Sequence, residues 1–362
     1  MTDFLIFFTG LAALVIGAEL LVRGASRLAL SIGISPLVVG LTIVAMGTSA
    51  PEMAVSVDAA LSGSVDVAVG NVVGSNIFNA LFILGMSALI VPLAVHAQIV
   101  RQEVPIMIAA TLLFVVMALD GHISFGEAAL LLAALLAYTA FLIVQSRRES
   151  RETVGEFAGE MPSPTSWDKH WSVQALAILG GLGLLVLGAD LLVDSATSFA
   201  RAMGISDLVI GLTIVAAGTS LPEVAASLTA ALRGKRDIAV GNVVGSNVFN
   251  LLGCLGTAGV AAPGGLVVAP ELLRIDIWIL LATTLACVPI FAYRHEISRW
   301  QGGLLLLSYV SYTTWLVLHT QQHPLLPRFL DIAMFGFFPG ILFLLLLMWL
   351  KRRPISTTFP KQ

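Results

Sequence analysis

Residues 33–85 read GISPLVVGLTIVAMGTSAPEMAVSVDAALSGSVDVAVGNVVGSNIFNALFILG, and residues 204–256 read GISDLVIGLTIVAAGTSLPEVAASLTAALRGKRDIAVGNVVGSNVFNLLGCLG. At a fixed offset of 171 positions, 37 of the 53 residues are identical and no gap is needed. The match reaches upstream, where AELLV at Ala18–Val22 pairs with ADLLV at Ala189–Val193. A repeat of this length dictates architecture before any single residue does. The chain is two copies of one half.

Its 362 residues are 57% hydrophobic and only 11% charged, with mean hydropathy +0.95. A soluble domain carries about 25% charged residues, so most of this chain cannot face water. The class is an all-α polytopic membrane protein. The net charge of −3 says little about partners, because the charges sit in loops and at a few special membrane positions. The expected surroundings are the lipid bilayer, and no nucleic acid. Cys254 and Cys287 are too few for a disulfide framework or a metal site, and read as small apolar residues in packed helices. Met1-Thr2-Asp3 lacks the basic start of a signal peptide, and the first apolar run is long enough to span.

A helix needs about 20 apolar residues to cross the hydrocarbon. That rule places spans near 4–22, 36–61, 69–92, 104–119 and 125–145, then near 173–193, 207–232, 240–262, 274–293 and 300–319, with one more near 329–350. The plan is a first five-helix repeat over 1–145, a polar cytoplasmic linker over 146–172, a second repeat over 173–319, and an extra span with a cytoplasmic tail over 320–362. The linker is too short for a core of its own.

With the N-terminus outside, the inner segments hold 16 of the 19 Lys and Arg residues, leaving only Arg201, Arg274 and Arg328 outside. That asymmetry puts the C-terminus in the cytoplasm. Equivalent spans are five apart, an odd number, so the copies cross the membrane in opposite directions. The hairpins agree: Ser62-Gly63-Ser64-Val65-Asp66 carries no basic residue, while Arg233-Gly234-Lys235-Arg236-Asp237 carries three. Inverted repeats belong to secondary transporters with a midplane site and alternating access.

Each copy holds a polar island in mid-span, Gly47-Thr48-Ser49-Ala50-Pro51-Glu52 and Gly218-Thr219-Ser220-Leu221-Pro222-Glu223. Proline cannot bond the carbonyl four residues back, which frees the carbonyls of Gly47 and Gly218 and predicts a helix break. Broken helix inside a membrane is tolerated only where it is buried in protein or lines a cavity. Thr48 and Glu52, four apart, share a helix face. A carboxylate at the membrane centre costs at least about 2.5–3.5 kcal/mol, so two at equivalent positions are expected to converge near the pseudo-two-fold axis. A second island pairs Ser75 with Asn79, and Ser246 with Asn250, again four apart. Asn71 and Asn76 read as packing residues. The donors are all oxygen, without His, Cys or Met, which suits Na⁺, Ca²⁺ or Mg²⁺. Mg²⁺ seldom sits in an all-protein cage, whereas Ca²⁺ takes six to eight flexible oxygens. Two carboxylates balance one Ca²⁺ or two Na⁺. Ca²⁺ is favoured.

At these residues the sequence resembles the cation/Ca²⁺ exchanger superfamily, most closely its prokaryotic sodium/calcium exchanger branch, with GTSxPE and GNxxGSNxxN similar to the family's α-1 and α-2 repeats. The resemblance covers roughly residues 4–319. It implies ten core helices, an ion site on helices 2, 3, 7 and 8, and helices 1 and 6 sliding to switch access. It also implies the ligands by position: Thr48, Ser49, Glu52, Ser75 and Asn79, with Thr219, Ser220, Glu223, Ser246 and Asn250, joined by the carbonyls of Ala45 and Ala216. The implied activity is Na⁺/Ca²⁺ antiport in a bacterial inner membrane, with no cofactor.

Two features depart from that pattern. Many members carry an aspartate where this chain has Asn79 and Asn250, which argues against K⁺ cotransport and a three-to-one sodium stoichiometry. The extra span at 329–350 is also outside the ten-helix plan. Its default role is packing or contact with a second copy, so a homo-oligomer is allowed for. Glu19 and Asp190, at equivalent points of spans 1 and 6, read as capped by local hydrogen bonds, and Arg101, Glu103, Arg274 and Asp276 read as interfacial. The alternative on the same scaffold is a Ca²⁺/H⁺ antiporter, because two glutamates can also bind protons. A hydrolase is disfavoured, since neither His nor Cys lies among the island residues to act as base or nucleophile. A channel would need a continuous pore.

Overall fold

The computed structural model describes residues 2–32, 34–158, 170–202 and 216–351. Apolar runs long enough to span become helices: α1 (Thr2–Ile32), the bent pair α2 (Pro36–Thr48) and α3 (Ala50–Leu61), α4 (Val65–Ile90), α5 (Ile99–Ala118) and α6 (Phe125–Ala158). The second repeat supplies α7 (Trp171–Ala202), α8 (Leu221–Leu232), α9 (Arg236–Ala261), α10 (Leu272–Ala292) and α11 (Arg299–Thr320), followed by α12 (Leu326–Leu350). Among the described residues, eight helices are long and apolar enough to cross a bilayer, and α2 with α3, bent by 43°, makes a ninth. The span expected at 207–232 is described only from Ala216 on; residues 203–215 lie outside the described residues. α11 is long enough at 22 residues, but its Ser, Thr and Tyr content makes it less apolar.

Several boundaries differ from the sequence reading. α1 and α7 run well beyond the spans at 4–22 and 173–193. α6 continues to Ala158, so the first half of the stretch expected as a linker is helix. The strong helix formers Arg and Glu of SRRESRE carry the turn forward. Residues 159–169 of that stretch and the tail at 352–362 lie outside the described residues.

α1 and α7 run antiparallel with their backbones in contact. A Cβ on Gly10 would stand 2.9 Å from the Gly188 carbonyl, and one on Gly17 would stand 2.8 Å from the Gly181 carbonyl. Glycines seven apart on each helix make this approach possible, as small residues do between membrane helices.

Two short antiparallel strand pairs then tie the repeats together. β1 (Leu93–Ala94) pairs with β4 (Glu296–Ile297), and β2 (His122–Ile123) pairs with β3 (Leu266–Val267). Each pair joins a loop of one repeat to a loop of the other, and in the inverted arrangement the joined loops share a side. The bundle centre is α9, in which every residue from Ile238 to Gly256 is buried, while α12 is mostly exposed and forms the periphery.

Glu103 corrects an expectation. It is not interfacial but fully buried, because Tyr138 Oη donates to it at 2.8 Å and the amides of Gln98 and Gln102 donate at 3.0 and 2.9 Å. In the other repeat Tyr312 Oη donates to Asp276 at 2.8 Å. Arg101 and Arg274 are exposed.

Candidate ion-binding site

The site is built on the two helix breaks. Ser49 (φ −81°, ψ 5°) and Ser220 (φ −90°, ψ 6°) leave helical geometry, and Pro51 and Pro222 begin the helices that follow. Proline is suited to a first helical turn because its missing N–H would be unbonded there anyway. Glu52 and Glu223 therefore sit in the first turns of α3 and α8, where the helix dipole favours a carboxylate.

The two breaks meet. Ser49 Oγ donates to Glu223 Oε1 at 2.9 Å, and Ser220 Oγ donates to Glu52 Oε1 at 2.9 Å. Each serine serves the carboxylate of the other repeat. Ser220 Oγ also lies 3.3 Å from Ser75 Oγ. Glu52, Glu223, Ser49, Ser220, Thr48, Asn79, Asn250 and Ser246 are fully buried, and Ser75 nearly so. Asn79 and Asn250 each open a wide π turn, Asn79–Ile83 and Asn250–Cys254, a local unwinding that recurs at functional sites.

Several buried polar atoms here have no hydrogen-bond partner: Glu52 Oε2, Glu223 Oε2, both polar atoms of Asn79, Asn250 Nδ2, Ser246 Oγ and Thr219 Oγ1. An unsatisfied buried polar group costs about 1–3 kcal/mol, more when charged. Gathering so many, with two carboxylates, suits a cation. The Ala45 carbonyl, by contrast, accepts the Ser49 N–H at 3.0 Å and has Thr48 Oγ1 at 3.3 Å. Ala216 lies in helix, Ala216–Gly218.

The copies differ at their threonines. Thr48 is buried, with its hydroxyl 3.2 Å from Asn242 Oδ1. Thr219 is half-buried and lines a cavity of about 350 Å³ with Pro51, Val55, Asp190, Asp194 and Gly218. At the repeat-equivalent of Asp190, Glu19 accepts from Arg233 Nε at 2.8 Å. Its partner is in the other repeat, not the local cap expected.

Some residues around the site lie outside the ligand set that the resemblance implied. Asn242 Nδ2 donates to Ser227 Oγ at 2.9 Å, and Asn71 Nδ2 donates to Ser56 Oγ at 3.0 Å and to the Glu52 carbonyl at 3.1 Å. The available clue is that Ser56 and Ser227 follow the glutamates by four residues in both copies. Cys254 Sγ donates to Asn250 Oδ1 at 3.4 Å, also one turn away.

The profile of the sodium/calcium exchanger protein family matches residues 2–144 and 173–318. The chain belongs to the sodium/calcium exchanger family. Within this family it is 39% identical over 309 residues to the antiporter CaxA of Alkalimonas amylolytica, covering 84% of this chain and 95% of that one. It is 33% identical over 348 residues to the sodium/calcium exchanger MaX1 of Methanosarcina acetivorans, covering 86% and 97%. Its structure matches that of the sodium-calcium exchanger NCX_Mj with TM-score 0.73 and 31% identity, over 86% of this chain and 97% of that one. The exchanger is thus a multi-pass transporter of the exchanger fold, with inverted five-helix repeats and one further helix.

Proposed function

We propose that the chain exchanges Ca²⁺ for Na⁺ by alternating access at the site where the two breaks meet. The observation that carries this is the crossed pair Ser49–Glu223 and Ser220–Glu52, with one oxygen of each carboxylate left free of protein donors. The ligands are Glu52 and Glu223, the hydroxyls of Thr48, Ser49, Ser75, Thr219, Ser220 and Ser246, the amides of Asn79 and Asn250, and the carbonyls of Ala45 and Ala216. Two carboxylates match the charge of one Ca²⁺ or two Na⁺, and Ca²⁺ accepts an irregular oxygen shell. A loaded site is therefore neutral and crosses readily; an empty one carries two charges and does not.

Residues 1–145 and 173–319 act as the inverted repeats, with the N-terminus outside, the C-terminus in the cytoplasm, and a bacterial inner membrane as the setting. In that orientation the cavity at Asp190, Asp194 and Thr219 opens outward. The buried Thr48 and the Glu19–Arg233 pair close the inner side.

Radioactive Ca²⁺ uptake into Na⁺-loaded proteoliposomes, diluted into Na⁺-free buffer, tests this reading. Uptake that needs internal Na⁺ supports it. Uptake driven by a proton gradient without Na⁺ replaces it with Ca²⁺/H⁺ antiport and makes Glu52 and Glu223 the proton carriers.

A further inference from the structure

We infer that the cavity between α10, α11 and α12 holds one phospholipid, an acyl chain inside and an anionic headgroup at Arg274 and Arg328. The cavity measures about 440 Å³ and is walled by residues such as Ala286, Leu305, Ala333, Phe337 and Leu345, with Leu81 of α4 at its back. α12 meets the bundle near both ends. Ala333 is buried near its start, and near its end the buried Met348 takes a contact from Gln301 Nε2 at 3.1 Å. Between those points the helix stands away, and its far side is open: Phe335 is 85% exposed.

A space this large does not stay empty in a close-packed protein. Water does not fill it either, because a water needs two to four polar partners and most of this lining is apolar. In a chain that crosses a bilayer, the apolar medium at hand is the acyl chain.

One end of the cavity is polar. Tyr312, bonded to Asp276, and Trp315, stacked on His319 at 5.1 Å, line that end, and such aromatic residues favour the headgroup level. Arg274 precedes the lining residue Ile275, and Arg328 precedes Phe329; both arginines are exposed. α10 and α12 enter the membrane from the same side, so both arginines lie at the level of one end of the cavity. The sequence leaves only three basic residues on that side, and two of them are here. Paired cations between membrane helices select an anionic headgroup. The site does not depend on which ion the transporter couples to Ca²⁺. Its inner wall reaches Leu81, two residues beyond Asn79.

The test is photolabelling of the full chain in liposomes containing phosphatidylglycerol with a diazirine in its acyl chain, followed by mass-spectrometric mapping. Adducts are expected to concentrate on the cavity walls of α10, α11 and α12, above the level on the exposed Leu136 and Phe141 of α6. Ala286→Trp, which fills the cavity, removes the cavity adducts and leaves those on α6. Ser308→Trp does the same from α11, and serves if Ala286→Trp does not fold. The double substitution Arg274→Gln, Arg328→Gln removes the preference for phosphatidylglycerol over phosphatidylcholine. Labelling spread evenly over all outer helices, or cavity adducts that survive a folded Trp variant, overturns the site. A headgroup preference that survives the loss of both arginines overturns the anionic assignment.

Discussion

Ser49 of the first repeat and Glu223 of the second lie 2.9 Å apart, and the inverted copy repeats the contact between Ser220 and Glu52 at the same distance. A hydrogen bond to a charged group is worth about 1.5–3 kcal/mol, and each 1.4 kcal/mol is about tenfold in affinity. Ser49→Ala and Ser220→Ala should each weaken apparent Ca²⁺ affinity at least about tenfold. By symmetry the two losses should be similar. Ca²⁺-dependent uptake titrated in proteoliposomes checks this, and one silent serine would break the symmetry of the site.

The Glu19–Arg233 pair bridges α1 and the loop after α8 at 2.8 Å. It is solvent-exposed, so its worth is about 0.2–1 kcal/mol. Arg233→Ala should leave thermal stability almost unchanged while shifting the balance of access toward the inside by no more than about fivefold. A Val55→Cys reporter on the outer cavity, labelled by a membrane-impermeant maleimide, reads that balance: labelling should slow in the Arg233→Ala background.

At Gly17 a Cβ would stand 2.8 Å from the Gly181 carbonyl and 2.9 Å from the Leu185 nitrogen. Both are backbone and cannot swing aside. Gly17→Val should cost about 1–3 kcal/mol of stability and reduce transport by separating the long helices. Gly180→Val is the control, since a Cβ there meets nothing within 4 Å. Thermal unfolding in detergent together with uptake separates the two variants.

Tyr138 and Glu103 anchor α6 to α5 away from the ion site. Tyr138→Phe removes the 2.8 Å donor to a buried carboxylate, at about 1–3 kcal/mol. The melting temperature should fall while the Na⁺ and Ca²⁺ dependence of transport stays as it was.

How far the sequence could be read follows from where its signals lie. Pro51 and Pro222 announce the breaks because no other residue so reliably ends a helical ladder, and the structure bends beside Ser49 and departs from helix at Ser220. The repeat predicted convergence of Glu52 and Glu223, and the crossed serine bonds bring those two elements together. The crossing itself was not legible: nothing in a linear repeat says that Ser49 serves Glu223 and not Glu52. Glu103 sits between Gln102 and Val104 at the start of a span, close to Arg101, so local context placed it at the interface. Its burial depends on Tyr138, 35 residues on. Gly10, Gly17, Gly181 and Gly188 lie in runs where glycine is common, and only the facing helix gives their spacing meaning. The lateral cavity depends on how α12 leans, which no local pattern encodes.

The central claim is that Glu52 and Glu223 together neutralise the transported cation. Glutamine keeps the shape of each side chain and an oxygen for the serine hydroxyl but removes the charge. Na⁺-driven Ca²⁺ uptake should therefore be measured for Glu52→Gln and Glu223→Gln, each reconstituted at matched density and shown to be folded by its helical circular dichroism. The account predicts that both lose Ca²⁺ exchange. Wild-type uptake by either variant would contradict it.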